Sequence, residues 1–364
     1  MRIVAAMTLL ACAACGEPTE PAPPAAETVS DAAFVAALRS HLDAATAAGQ
    51  FSGAVLVTRD GSTVFEGAYG LADRERGVAN TPLTLFRVGS MYKMVTAVAA
   101  LQLVQAGTLR LDTPIGAYLP DYPNADVASK VTPHHLLTHT GGTGDIFGPE
   151  FMARRLELRD TEDYLRLYGT RGLQFAPGAQ HVYSNYGFLL LGALIERVSG
   201  NRYDDHVAAR VLAPAGMTAT GTAPEDSLVP GRAVGYMRQP SGALVSNAPT
   251  LPYRGTPAGG GYSTVGDFAR FAAAVQQKRL LDPAHTALLL DGKVKVGPNN
   301  QYAYGFTEHM AGGRRFVGHG GGAPGMNGQL AFEPDGGYVV VVLSNLDPPA
   351  AGQVASFILG TLPG

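Results

Sequence analysis

Phe86-Arg87-Val88-Gly89-Ser90-Met91-Tyr92-Lys93 runs directly into an apolar segment, Met94 to Val104, that closes at Gly107. The spacing predicts a loop delivering Ser90 to the first turn of a buried helix, with Lys93 one turn on and on the same face. A serine hydroxyl is a poor nucleophile at neutral pH and needs a neighbour to take its proton as it attacks. Lysine serves only where its ammonium form is disfavoured. Met94, Val95, Val98, Leu101 and Val104 describe a helix largely out of water, where desolvation draws a lysine pKa down. The free N–H groups of a helix start can also stabilise charge developing on a substrate oxygen. With 14 serines and five lysines in the chain, S-x-x-K spacing arises by chance about 0.2 times. Taken alone, the tetrapeptide reads equally as a helix cap followed by a lysine that snorkels to the surface.

Outward from this stretch, the chain has 364 residues, 46% hydrophobic and 16% charged, ample for a substantial core in one large domain or two lobes. A formal net charge of −3 offers no bulk attraction to nucleic acid or anionic lipid. No 20-residue repeat, heptad series or transmembrane stretch stands out in the body of the chain.

Both cysteines, Cys12 and Cys15, fall at the amino terminus, so the body has neither a disulfide framework nor a cysteine metal site. Met1-Arg2 followed by the short apolar run Ile3 to Ala11 reads as an export signal over residues 1–15. Its end, Ala13-Ala14-Cys15-Gly16, resembles a bacterial lipoprotein box with Cys12 where leucine is usual, which implies lipidation at Cys15; ordinary cleavage near Ala14 and an uncleaved anchor are the alternatives. Residues 16–30 are proline-rich, acidic and non-periodic, an extended tether. The expectation is an exported protein, periplasmic or anchored as a lipoprotein in a bacterial envelope, touching membrane only through that anchor.

Phe34, Val35, Leu38 and Leu42 predict a helix from Asp31 to Gly49. Gly53–Arg59 and Thr63–Tyr69 read as strands joined by the hairpin pair Asp60-Gly61. Ser90 to about Leu290 is helical and loop-rich. There Pro133 opens a helix that runs through His139 to Gly141-Gly142, Tyr186 to Val198 forms an apolar helix, and Thr264 with Asp267 forms a capping box. Period two returns in 302–307, 315–318, 328–332 and 338–344, followed by a helix from Ala350 to Ile358. The pattern predicts an α+β fold: an antiparallel sheet built from both chain ends, flanked by helices, with a mostly helical lobe inserted. The sheet lobe is 31–89 and 295–364, the helical lobe 90–294, within one domain over 31–364.

Ser90-Met91-Tyr92-Lys93, Tyr183-Ser184-Asn185 and His319-Gly320-Gly321 match, in order, the S-x-x-K, Y-x-N and Lys-Thr-Gly elements of the serine β-lactamase and penicillin-binding superfamily. The chain most resembles the branch with class C β-lactamases, D-alanyl-D-alanine carboxypeptidases, D-amino-acid peptidases and family VIII carboxylesterases. Leu136-Leu137-Thr138-His139-Thr140-Gly141-Gly142, Phe175-Ala176-Pro177-Gly178 and Pro257-Ala258-Gly259-Gly260-Gly261 extend the likeness over roughly 31–360. The resemblance implies Ser90 as the acylated nucleophile, Lys93 as its proton acceptor or electrostatic partner, and Tyr183 as a partly ionisable proton shuttle; spacing does not choose between Lys93 and Tyr183 as formal base. It implies Asn185 contacting substrate or Lys93, and an oxyanion hole from the backbone N–H of Ser90 and of Gly322 on an edge strand. The superfamily chemistry uses no cofactor. His319 replaces a lysine and is mostly neutral near pH 7, which weakens recognition of a substrate carboxylate. The expected activity is therefore a peptidase or esterase forming an acyl-Ser90 intermediate on a small-molecule or peptide acyl substrate. The alternatives are a β-lactamase or a non-catalytic envelope sensor or scaffold.

Two further features have plainer explanations. His135 and His139 stand four apart, a zinc-compatible spacing on a helix, but no glutamate lies between them and no third ligand is evident; His139 bonding backbone near the site rim is the expectation, and no metal site is assigned. Gly259-Gly260-Gly261 lacks the Lys-Ser or Lys-Thr of a phosphate loop and is read as letting backbone pass near the acyl group. Loops at about 143–172 and 220–258 are expected to shape the pocket. Oligomeric state is left open.

Overall fold

The computed structural model describes residues 30–364; the export signal with Cys15, and the tether up to residue 29, lie outside the described residues. The chain begins with helix α1 (Asp31–Ala47) and a hairpin of β1 (Gly53–Arg59) and β2 (Ser62–Tyr69). Asp60 and Gly61 both carry positive φ (51° and 80°), the conformation that lets a two-residue turn follow the right-handed twist of its strands. Six strands complete the sheet after the helical lobe: β3 (Val294–Lys295), β4 (Asn300–Tyr302), β5 (Thr307–Ala311), β6 (Arg314–Ala323), β7 (Met326–Phe332) and β8 (Tyr338–Ser344). The spatial order is β2-β1-β8-β7-β6-β5-β4-β3, antiparallel throughout, with Gly53 opposite Ser344 and Arg59 opposite Tyr338. The expected α+β sheet assembled from both chain ends is the observed one.

Both faces of the sheet are covered, which is why its central strands read as unbroken apolar runs. Val55, Val57, Val340 and Val342 point to one face and pack with Phe34, Leu38 and Leu42 of α1 and Val354 and Ile358 of a closing helix, Ala350–Thr361. Ala54, Leu56, Val341 and Leu343 point to the other and join the core of the helical lobe. That core is organised on α2 (Tyr92–Gln105), eleven of whose 14 residues are buried. A helix apolar all round must be enclosed on every side. It lies against α3 (Asn185–Ser199), while the helix Val265–Gln276 packs on β8 and β1.

Four local expectations are corrected. Residues 302–307 are not one strand: Ala303 donates its N–H to the Phe306 carbonyl, turning the chain between β4 and β5 so that Gly305, at φ 70°, seats on α2 beside Lys93 and Ala97. The helix opened by Pro133 stops at Leu137, and His139 adopts a left-handed φ of 56°; His135 and His139 therefore do not share a helix face. The strand expected over 315–318 runs on to Ala323. The Thr264 hydroxyl does accept the Asp267 N–H, but the Asp267 carboxylate turns away to the Ala219 N–H and the Thr220 hydroxyl, so no reciprocal capping box closes.

Among the described residues, no helix is long and apolar enough to cross a membrane, and no three His, Cys, Asp or Glu residues cluster as a metal site.

Candidate active site

Ser90 lies in a 3-10 turn, Gly89–Met91, that leads straight into α2. The turn rests on β6. Strand β5 pairs with β6 only as far as Gly318, whereas β7 pairs with it up to Ala323, so residues 319–323 keep one hydrogen-bonding side unpaired. The approach is very close: a Cβ on Gly321 would fall 2.0 Å from the Val88 carbonyl oxygen, and one on Gly89, itself at φ 52°, would fall 3.1 Å from the Gly322 nitrogen. Glycine at 321 is what lets the nucleophile turn and the strand meet.

Lys93 is fully buried. Its Nζ lies 3.2 Å from Ser90 Oγ and 2.7 Å from Asn185 Oδ1, and it also bonds the Ala258 carbonyl oxygen. Burial pulls its pKa down to about 7, opposed by the negative field of Asp145. The lone pair of a lysine near neutrality is available to a hydroxyl proton.

The Tyr183-Ser184-Asn185 element owes its geometry to Ser184. Ser184 caps α3 by accepting the Gly187 N–H at 2.9 Å, which leaves Asn185 free to face Lys93. Asp145 fixes that amide: its carboxylate accepts the Asn185 backbone N–H at 2.9 Å and the Asn185 side-chain N–H at 3.2 Å. Tyr183 lies over Lys93, with Nζ 4.7 Å from the ring centroid, and the neighbouring Ser90 hydroxyl favours ionisation of its phenol. Solvent reaches 37% of the residue, yet burial of the phenol outweighs the influence of Ser90 and raises the pKa. Burial thus favours the neutral phenol of Tyr183, beside Lys93 as expected.

His319 is buried, and both ring nitrogens are engaged within the protein. Nε2 lies 3.0 Å from the Tyr302 hydroxyl and Nδ1 bonds the Gly320 carbonyl. Burial and the nearby Lys93 bring its pKa down to about 4. His319 is thus held as a neutral imidazole on the groove beside Ser90, with both ring nitrogens bonded within the protein. His139 does bond backbone, as expected, through Nδ1 to the Ser184 N–H.

Two cavities meet at Ser90 and Gly322. One, of about 340 Å³, is apolar and includes Ile146, Phe147, Phe151, Met152, Leu251 and Met326, so both loops expected to shape the pocket contribute. The other is a shallow groove bearing Tyr183, His319, Gly320, Gly321 and Gln329. Among the described residues, no Asp, Glu, Lys or Arg lines either cavity. A larger cleft of about 760 Å³ at Asp121, Glu196 and Arg202 includes no residue of the site. Asp145 and Tyr302 escaped the sequence reading: neither belongs to a spaced motif, and each is recruited by a loop or turn whose path no local pattern encodes.

The Beta-lactamase family model matches residues 38–359. The chain belongs to this family. This family member is 30% identical to penicillin-binding protein 4 of Amycolatopsis lactamdurans over 318 residues, 80% of each chain. It is 36% identical to the esterase EstB of Burkholderia gladioli over 212 residues, 54% of each chain. Its structure is similar to that of a penicillin binding protein from Bacillus halodurans, with a TM-score of 0.81, 32% identity, and coverage of 88% of this chain and 100% of the other. A D-stereospecific amidohydrolase from Streptomyces sp. gives a TM-score of 0.75 at 26% identity, covering 88% of this chain and 96% of the other. Relatives of this family member thus include hydrolases, among them an esterase and an amidohydrolase.

Proposed function

We propose that the chain is a serine hydrolase that cleaves an ester or amide with an uncharged, apolar acyl group through a covalent acyl-Ser90 intermediate. In neutral Lys93, two N–H bonds point to Asn185 Oδ1 and the Ala258 carbonyl, which leaves the lone pair for the Ser90 proton. Lys93 takes that proton as Ser90 Oγ attacks the substrate carbonyl carbon; burial keeps Tyr183 as the neutral phenol, so little phenolate is present to act as base. The tetrahedral oxyanion would lie between the backbone N–H groups of Ser90 and Gly322. On collapse, the bond to the leaving group breaks and Tyr183 donates its proton to that group, regaining one from Lys93. Water then attacks the acyl carbon by the reverse path, its proton passing through Tyr183 to Lys93 while Ser90 recovers its own.

The observation that carries the substrate class is the absence, among the described residues, of any Asp, Glu, Lys or Arg from the lining of either cavity. A free carboxylate or ammonium next to the scissile bond would enter without a partner, at a cost of several kcal/mol. The carboxylate nearest the site, Asp145, is held by Asn185. The decisive experiment compares p-nitrophenyl butyrate, nitrocefin and D-alanine-ended peptides on purified protein, with fluorophosphonate labelling and Ser90→Ala as blank. Ester turnover and labelling that fall at least roughly 1,000-fold in Ser90→Ala are expected. Equal behaviour of native and Ser90→Ala protein would mean a non-catalytic scaffold, and efficient nitrocefin turnover a β-lactamase. Residues 1–15 support an exported enzyme with a lipid on Cys15, for which incorporation of a fatty-acid label that disappears in Cys15→Ala is the check.

A further inference from the structure

We propose that His139 is a positioning residue for Tyr183, locked by a one-way chain of hydrogen bonds that runs from the Ser184 amide through His139, Tyr302 and His319 to the Gly320 carbonyl. The role rests on Tyr183 being the group that relays protons to and from the leaving group.

The direction of the chain follows from its first link. The Ser184 N–H can only donate, so His139 Nδ1, 3.1 Å away, must be the acceptor, and the ring proton of neutral His139 is then on Nε2. Nε2–H donates to the Tyr302 oxygen at 2.9 Å. Tyr302 in turn has its hydroxyl proton free for His319 Nε2 at 3.0 Å. His319 therefore carries its proton on Nδ1, where it meets the Gly320 carbonyl. Every donor and acceptor on the three side chains is matched in one orientation, and reversing any link would set two donors or two lone pairs against each other.

The chain ties together the two elements between which substrate must lie: the Tyr183-Ser184-Asn185 segment and the open stretch of β6. Its effect on Tyr183 is direct. The His139 ring faces the Tyr183 ring at a centroid distance of 4.2 Å, and Phe188, at 5.1 Å, and Tyr302, at 4.8 Å, hold His139 from other sides. His139 also takes a left-handed φ of 56°, uncommon for residues bearing a side chain but one that histidine adopts more readily than most. A buried histidine whose two nitrogens are both engaged has no free hydrogen-bonding position left for substrate. What it does contact is the ring of Tyr183, which lies over Lys93.

The test is a double-mutant cycle read in kcat and KM for p-nitrophenyl butyrate, using native protein, Tyr302→Phe, Tyr183→Phe and the double variant. Tyr302→Phe keeps the ring and removes the middle link. It is expected to lower kcat roughly 10-fold or more with KM within about twofold, and to have no further effect once Tyr183 is phenylalanine. His139→Asn, whose side chain tolerates the left-handed backbone, runs the same cycle without disturbing Tyr302 and is expected to show the same non-additivity. An equal loss of kcat with and without the Tyr183 hydroxyl, or a change confined to KM, would overturn the proposal. The hydrolase assignment itself stands or falls on Ser90→Ala, which this cycle does not use.

Discussion

Lys93 is the residue whose environment decides how the site responds to pH. Its pKa is lowered by burial to about 7, so the neutral, proton-accepting form gains population as pH rises through that value. The kcat/KM for an uncharged ester is expected to climb with pH and level off above an apparent pKa near 7. Asp145 favours the ammonium form, and Asp145→Asn should move the limb to lower pH; a limb that stays where it was would remove Lys93 as its origin. His319, already neutral above about 4, contributes nothing to this limb. Ser90, Lys93, Tyr183 and Asn185 were all legible in the sequence, because each sits in a motif whose spacing has a chemical reason. Asp145 and Tyr302 were not. They act by meeting a side chain from a distant segment, and a single aspartate in a loop or tyrosine at a turn carries no mark of that meeting.

At the level of elements, the site depends on how closely the turn Gly89–Met91 lies on β6. A methyl group at position 321 would collide with the Val88 carbonyl, a backbone atom that cannot rotate away. Gly321→Ala is expected to cost about 1–3 kcal/mol of stability, measured by urea denaturation, and to slow fluorophosphonate labelling by pushing Ser90 off the strand. Normal labelling would mean that the two elements can separate without harm to the nucleophile. Elements with a strong period were legible: α2, α3 and the strands 53–59 and 338–344 fell where apolar spacing put them. The glycine run 318–322 offered no alternation to read, so period two stops at Gly318 and only the family resemblance put Gly322 on a strand, whereas pairing with β7 carries the strand to Ala323. Likewise Pro133-His134-His135-Leu136-Leu137 starts as a helix on its own account, but where it stops is set by the partners of His139 rather than by propensity.

Across the molecule, the sheet and the helical lobe share one continuous core. Phe86, Leu330 and Val341 belong to the same apolar cluster as Tyr164 and Leu189. Unfolding in urea should therefore be a single transition whether followed by far-UV circular dichroism or by tyrosine fluorescence. Ile358→Ala, on the far face of the sheet and fully buried, should lower stability by about 2–5 kcal/mol without splitting it; two separated transitions would mean that the lobes fold independently. The pairing of Gly53 with Ser344 has another consequence, in the order of assembly. During synthesis the hairpin and the nucleophile turn emerge early, but β1 must wait for the last strand of the chain before its second edge is paired. A ribosome-bound or truncated chain ending at residue 337 would hold Ser90, Lys93, Tyr183 and His319 and still lack the strand between β1 and β7. Ser90 is therefore expected to gain reactivity only once residues 338–344 are in place, so that a chain cut at residue 337 should label with fluorophosphonate far more slowly than the full chain.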